Sequence, residues 1–127
     1  VKDALKYVLG YTCGNDATAY DFILRDNATF HGKSFDTFCP LGPHIETDLE
    51  PDDTTITCRV NGQVKAGGPT NAKYYTCAEL ISFISEIMTL FPGDIIMTGT
   101  PDIGTIHRGD VVEVDIAGIG VLRNRVV

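Results

Sequence analysis

Three stretches of this chain hold residue types that could meet at one centre of chemistry. In GYTCGNDATAYD, residues 10–21, Asp16 stands at the polar end of a strand-like run. A carboxylate there can ligate Mg²⁺ or Mn²⁺, ions that prefer oxygen donors. Beside Asn15 it can equally cap a helical turn over residues 17–24. In HGKSFDTFCPLGP, residues 31–43, Lys33 is followed by Phe35, Phe38 and Leu41. No apolar period of 2 or 3.6 survives across that stretch, and its Pro-Leu-Gly-Pro end argues against a helix or an interior strand. An ammonium enclosed by apolar side chains orients oxyanions and shifts its pKa readily, whereas the common fate of a lysine is solvation. In IIMTGTP, residues 95–101, Gly99 and Thr100 follow an apolar run. The Thr100 hydroxyl and N–H could meet a carboxylate or enolate oxygen, or the pair could simply end a strand before Pro101.

Other reactive side chains are more dispersed. Glu113 and Asp115 share one face of a strand, which suits a metal pair but is more often the wet face of a sheet. His31, His44 and His107 form no H-x-x-H or H-E-x-x-H pattern and read as solvated loop residues. Cys13, Cys39, Cys58 and Cys77 contain no C-x-x-C pair, so they read as small hydrophobes in a reducing compartment rather than as zinc ligands or disulfides.

The elements that must position these residues are legible from punctuation and period. Asp3 to Val8 and Ala19 to Leu24 are short helix candidates, Tyr11 to Thr18 is a strand candidate, and Arg25 to Phe30 is polar. Asn61-Gly62, between Ile56–Val60 and Gln63–Lys65, predicts a β-hairpin, because both turn positions tolerate positive φ. A longer helix is expected from about Cys77 to Leu90. Thr76 and Glu79 would form its capping box, Leu80, Ile84, Ile87 and Met88 its apolar face, and Pro92-Gly93 its stop. Asp94 to Thr98 reads as a short buried strand, Val111 to Ile116 as a half-exposed one, and Val121 to Val127 as the last, after a Gly118-Ile119-Gly120 turn. The fold class expected is α+β, mainly β, in one domain over residues 1–127.

Composition bounds the partners. A net charge of −7 and no basic stripe argue against nucleic acid. The apolar runs are far shorter than the roughly 20 residues that cross a bilayer. With no charged and apolar leader before Tyr7, a cytoplasmic location is expected.

GYTCGNDATAYD, GKSFDTFCPLGP, VNG with a Gly-x-Thr a few residues later, AELISFISEIMTLFPGDIIMTGTP and GDVVEVDIAGIGVLRNRVV occur here in an order that closely resembles the C-terminal catalytic region of the fumarylacetoacetate hydrolase family. The resemblance runs from about Gly10 to the C-terminus. It implies a compact mixed β-roll, a homodimer, and a Mg²⁺ or Mn²⁺ ion that chelates a 2-oxo or 1,3-dioxo acid. By the same resemblance Asp16 is a metal ligand, Lys33 faces the substrate, and Thr100, with Gly99 beside it, binds the substrate's carboxylate end. Lys33 would then sit in its apolar loop so that its charge meets an oxygen as negative charge develops.

Several positions depart from the family's pattern. Its other two metal ligands form an E-x-E pair upstream of this region, together with a lid, and neither Glu46-x-Asp48 nor Glu113-x-Asp115 takes that place. The chain is therefore expected to lack an N-terminal part. Tyr20 stands where the family usually has a substrate-binding Arg, Ile23 where it has Gln, and Pro69 where it has Asn. The resemblance implies hydrolytic C–C cleavage of an acylpyruvate- or fumarylacetoacetate-like acid. Isomerisation of a 2-hydroxyhepta-2,4-diene-1,7-dioate type substrate and 2-oxo acid decarboxylation are the alternatives within the family. An inactive structural or dimerising domain is the alternative outside enzymology.

Overall fold

In the computed structural model, which describes residues 1–99 and 104–127, Asn61 at φ 52° and Gly62 at φ 77° turn one strand back on the next. These strands are β3 (Thr55–Val60) and β4 (Gln63–Pro69), the hairpin that the dipeptide predicts. β3 also pairs antiparallel with β5 (Val111–Ile116), and β5 with β6 (Gly120–Arg125), giving a four-stranded sheet in the order β4-β3-β5-β6. A second, two-stranded sheet joins β1 (Tyr11–Gly14) to β2 (Leu41–Glu46). Among the described residues two α-helices accompany the sheets, α1 (Tyr20–Asp26) and α2 (Cys77–Ile87). The class is α+β and mostly strand, as expected.

The small sheet packs on the large one through Cys13, Cys58, Val114, Ile119 and Leu122, all buried, with Tyr11, Leu49 and Ile56 around them. Burial of an aliphatic side chain such as Val114 or Leu122 contributes about 1.5 to 3 kcal/mol. The alternation of β5 puts Val112 and Val114 inward and Glu113 and Asp115 on the opposite face. Two small core sulfurs let the sheets approach closely, and the Cys13 thiol donates to the Gly120 carbonyl at 3.4 Å. Among the described residues the cysteines form no disulfide, and Cys13, Cys58 and Cys77 are buried.

β2 begins in the apolar, turn-rich loop at its Leu41-Gly42-Pro43 end, as a strand of a two-stranded sheet and not an interior one. Pro43 is tolerated because β2 pairs with β1 alone, and its residue falls in an irregularity of the ladder, between Gly42 opposite Cys13 and Glu46 opposite Tyr11. Two local expectations are corrected. Asp94 to Thr98 is neither strand nor buried: Ile95 is 59% and Met97 41% exposed. No strand among the described residues forms a hydrogen-bonded ladder with it, and an unpaired strand leaves its backbone polar groups unsatisfied. Finally, α2 begins at its Thr76–Glu79 capping box but stops at Ile87, where Met88 turns extended at φ −144°. Pro92 further bars the helical region to Phe91. Leu80 and Ile84 are half-buried, while Ile87 and Met88, the lower end of the expected apolar face, are exposed at 65% and 58%.

Candidate active site

The site is assembled at the point where β1 ends and α1 begins. The backbone N–H of Asn15 donates to the Pro40 carbonyl at 3.2 Å, tying the end of β1 to the residue before β2. The Ala19 N–H donates to the Gly32 carbonyl at 2.8 Å, so the start of α1 is fastened to the residue preceding Lys33. Gly32 is buried in that contact. A Cβ there would lie 2.4 Å from Ile23 Cγ1 and 2.7 Å from the Ala19 carbonyl oxygen, which explains why only glycine fits. At the far end of α1, Asp26 accepts hydrogen bonds from Arg25 at 2.6 and 2.7 Å and pairs with His31 Nδ1 at 2.8 Å. The Arg25 guanidinium foremost, with His31 second, holds the Asp26 carboxyl well below the usual carboxylate range. His31, expected to be a solvated loop residue, is thus half of a clamp between α1 and the 3-10 turn Thr29–Gly32 that delivers Lys33.

This scaffold brings two of the expected site residues together. Lys33 Nζ donates to Asp16 Oδ2 at 2.6 Å and to Thr18 Oγ1 at 2.9 Å. Both partners of the ion pair are half-open to solvent, with side-chain exposures of 36% and 40%. Asp16 does not cap α1: the N-cap is Ala19, with no side-chain cap bond. Thr18 is the residue that sequence reasoning missed. Its hydroxyl accepts from Lys33 and also donates to the Asp16 carbonyl at 3.2 Å. The signal available was its place in the N-D-x-[ST]-A motif, two residues beyond Asp16.

The loop after Lys33 is apolar, as its composition indicates. Phe22 and Phe35 meet edge to face at 4.8 Å, Phe35 and Phe38 at 5.4 Å, and Arg25 lies 4.4 Å over the Phe22 ring. Thr37 at φ 71° and Cys39 at φ 58° hold left-handed conformations that non-glycine residues enter at a cost, a form of strain found at functional sites.

Tyr20 is the first residue of α1, 66% exposed. Met97 packs against the end of β1, since a Cβ at Gly14 would lie 3.0 Å from its Sδ and Cε. That contact brings the segment ending in Gly99 alongside the strand leading to Asp16. Gly99 is exposed at φ 88°; Thr100 lies outside the described residues. Glu113 and Asp115 face Arg123 at 3.6 Å and Arg59 at 3.0 Å, the wet-face alternative.

For a divalent ion, the described residues supply Asp16 and little else. Its Oδ2 is engaged by Lys33, and no group of three or more His, Cys, Asp or Glu among the described residues is placed to hold a metal. Mg²⁺ demands near-octahedral oxygen coordination, so Asp16 can be one ligand of a site but not the site.

Comparison with known proteins gives one consistent picture. Residues 1–127 match the family model described as fumarylacetoacetate (FAA) hydrolase C-terminal. An uncharacterized protein of Methanocaldococcus jannaschii is 50% identical over 98% of this chain and 53% of its own length. Human mitochondrial oxaloacetate tautomerase FAHD2A is 40% identical over 98% of this chain and 44% of its own. Among solved structures, a 5-carboxymethyl-2-hydroxymuconate delta-isomerase of Mycobacterium smegmatis superposes with a TM-score of 0.95 at 45% identity, covering 99% of this chain and 51% of that one. The chain spans about half the length of the curated relatives it matches.

Proposed function

The chain belongs to the fumarylacetoacetate hydrolase family, a family of hydrolases, isomerases and tautomerases, and from that premise we propose that it carries the lysine centre of an enzyme acting on 2-oxo or 1,3-dioxo acids. The reaction proposed is hydrolytic cleavage of the C–C bond of an acylpyruvate- or fumarylacetoacetate-like substrate. The single observation that carries this reading is the Lys33 ammonium held at 2.6 Å by Asp16, with both side chains half-open to solvent.

The chemistry of these side chains supports the reading. Cleavage beside a ketone leaves an enolate, and a fixed ammonium stabilises the oxygen on which that charge develops more than it stabilises the neutral ketone. Asp16 orients the ammonium and offsets its charge. Tyr20, exposed at the start of α1, is a further proposed contact for the substrate. Gly99 and Thr100 remain the proposed contacts for the substrate carboxylate. Asp16 would also be one ligand of a divalent Mg²⁺ or Mn²⁺ ion, whose chemistry when bound is to polarise the ketone as a Lewis acid.

Enolisation without bond cleavage is the second reading, favoured by two similar proteins that are named as an isomerase and a tautomerase. It needs the same enolate stabilisation and no activated water. We further propose a homodimer, supported by the exposed Phe83, Ile87, Met88 and Phe91 around the end of α2. A reducing, cytoplasmic setting is supported by four cysteines without a disulfide. No described helix is long and apolar enough to cross a membrane.

The test is a panel of 2-oxo acids, including acetylpyruvate, fumarylpyruvate and oxaloacetate, offered to the full-length protein and its Lys33→Met variant with Mg²⁺. Turnover or enolisation of at least one member, lost in the variant, supports the reading. Equal rates in both proteins would remove Lys33 from the chemistry.

A further inference from the structure

We infer that Thr18 is a positioning residue that, with Asp16, aims one N–H of Lys33 at the substrate oxygen. The inference rests on the reading above and extends it to a side chain with no charge of its own. An ammonium carries three N–H donors on freely rotating bonds. Asp16 Oδ2 takes one at 2.6 Å and Thr18 Oγ1 takes a second at 2.9 Å. No described residue takes the third.

Two fixed acceptors decide the direction of that third donor. A salt bridge to Asp16 alone would let the ammonium rotate about the Nζ–O axis. A second acceptor removes this freedom. The Thr18 oxygen is itself oriented, because its proton is committed to the Asp16 carbonyl at 3.2 Å and a lone pair is left for Lys33. The backbone beneath is fixed as well: the Ala17 N–H donates to the Asn15 carbonyl at 3.0 Å, and the Ala19 N–H to Gly32 at 2.8 Å. Asp16, Thr18 and the approach to Lys33 therefore move as one unit.

An orientation of this kind acts where charge develops. Its loss should lower kcat more than it raises KM, since a misdirected donor is missed most in the transition state. Thr18→Val keeps the side-chain shape and removes both the acceptor and the donor; Thr18→Ser keeps both.

The test measures kcat and KM of the full-length protein with the most active of the three acids named above, for Thr18→Val, Thr18→Ser and Lys33→Met. The expected result is a fall in kcat of about a hundredfold in Thr18→Val with little change in KM, and recovery to within a few-fold in Thr18→Ser. Oxalate, a two-oxygen mimic of the enolate, gives a readout independent of turnover: calorimetry should find its binding lost in Lys33→Met and weakened about tenfold in Thr18→Val. A Thr18→Val enzyme with normal kcat and normal oxalate binding, or a Thr18→Ser enzyme as impaired as the valine variant, would overturn the inference while leaving Lys33 in place. Normal behaviour of Lys33→Met would overturn the reading beneath it.

Discussion

Lys33 and Asp16 are 17 residues apart in sequence, and their Nζ and Oδ2 atoms lie 2.6 Å apart. The pair spans two separate motifs, one at the end of β1 and one after the 3-10 turn that follows α1. Because both side chains are half-open, the ion pair contributes no more than about 1 kcal/mol to stability. Lys33→Met should therefore leave the urea unfolding midpoint within that margin while turnover falls by about a hundredfold or more. Parallel loss of stability and activity would make Lys33 a structural residue.

Gly32 is where the scaffold of the site is most exposed to a single methyl group. Gly32→Ala sets a Cβ against Ile23 and the Ala19 carbonyl, and overpacking of this kind costs about 1 to 3 kcal/mol. Urea denaturation should show that loss, together with reduced kcat, because α1 must shift from the Lys33 turn. An unchanged midpoint would contradict the close packing of the two.

Leu122 ties β6 to the small sheet: it is buried, and its Cδ1 is the atom nearest to a Cβ built at Gly42, at 3.7 Å. Leu122→Ala should cost about 2 to 5 kcal/mol in chemical denaturation. The exposed Ile87→Ala should cost far less in the same chain. Equal losses would refute the placement of the core between the sheets.

Three carboxylates contribute to the response to acid: Asp26, held low by Arg25 and His31, and Glu79 and Asp110. Backbone N–H donation from Thr76 foremost holds Glu79 below its ordinary pKa, and the Asn61 side chain foremost does the same for Asp110. A folded-state pKa below the unfolded one gives stability that is present above the unfolded value, about 4 for these groups. That stability is lost as pH falls through the folded value. The unfolding midpoint should hold from pH 7 to about 5 and fall below it, and fall less steeply in Glu79→Gln combined with Asp110→Asn. An identical acid slope in the double variant would contradict these shifts.

What was legible in the sequence was local. Asn61-Gly62 fixes its hairpin through turn dihedrals alone, and Thr76 with Glu79 fixes the start of α2 through its own hydrogen bonds. The family motifs marked Asp16 and Lys33, which the fold joins. Less legible was whatever depends on a distant partner. β2 is a strand only because β1 lies beside it, and residues 94–98 are not, because nothing described pairs with them. Helical period alone did not separate the half-buried Leu80 and Ile84 from the exposed Ile87 and Met88. Thr18 stands in the same motif as Asp16, but only the folded chain sets its hydroxyl against Lys33.

The proposed working centre of Asp16 and Lys33 in a divalent-ion enzyme stands or falls with metal binding. Calorimetric titration of the full-length protein with Mg²⁺ and Mn²⁺, beside its Asp16→Ala variant, tests it most directly. Micromolar binding is expected that disappears in Asp16→Ala, with the fold retained by circular dichroism. Binding unchanged by the substitution, or absent from both proteins, would contradict it.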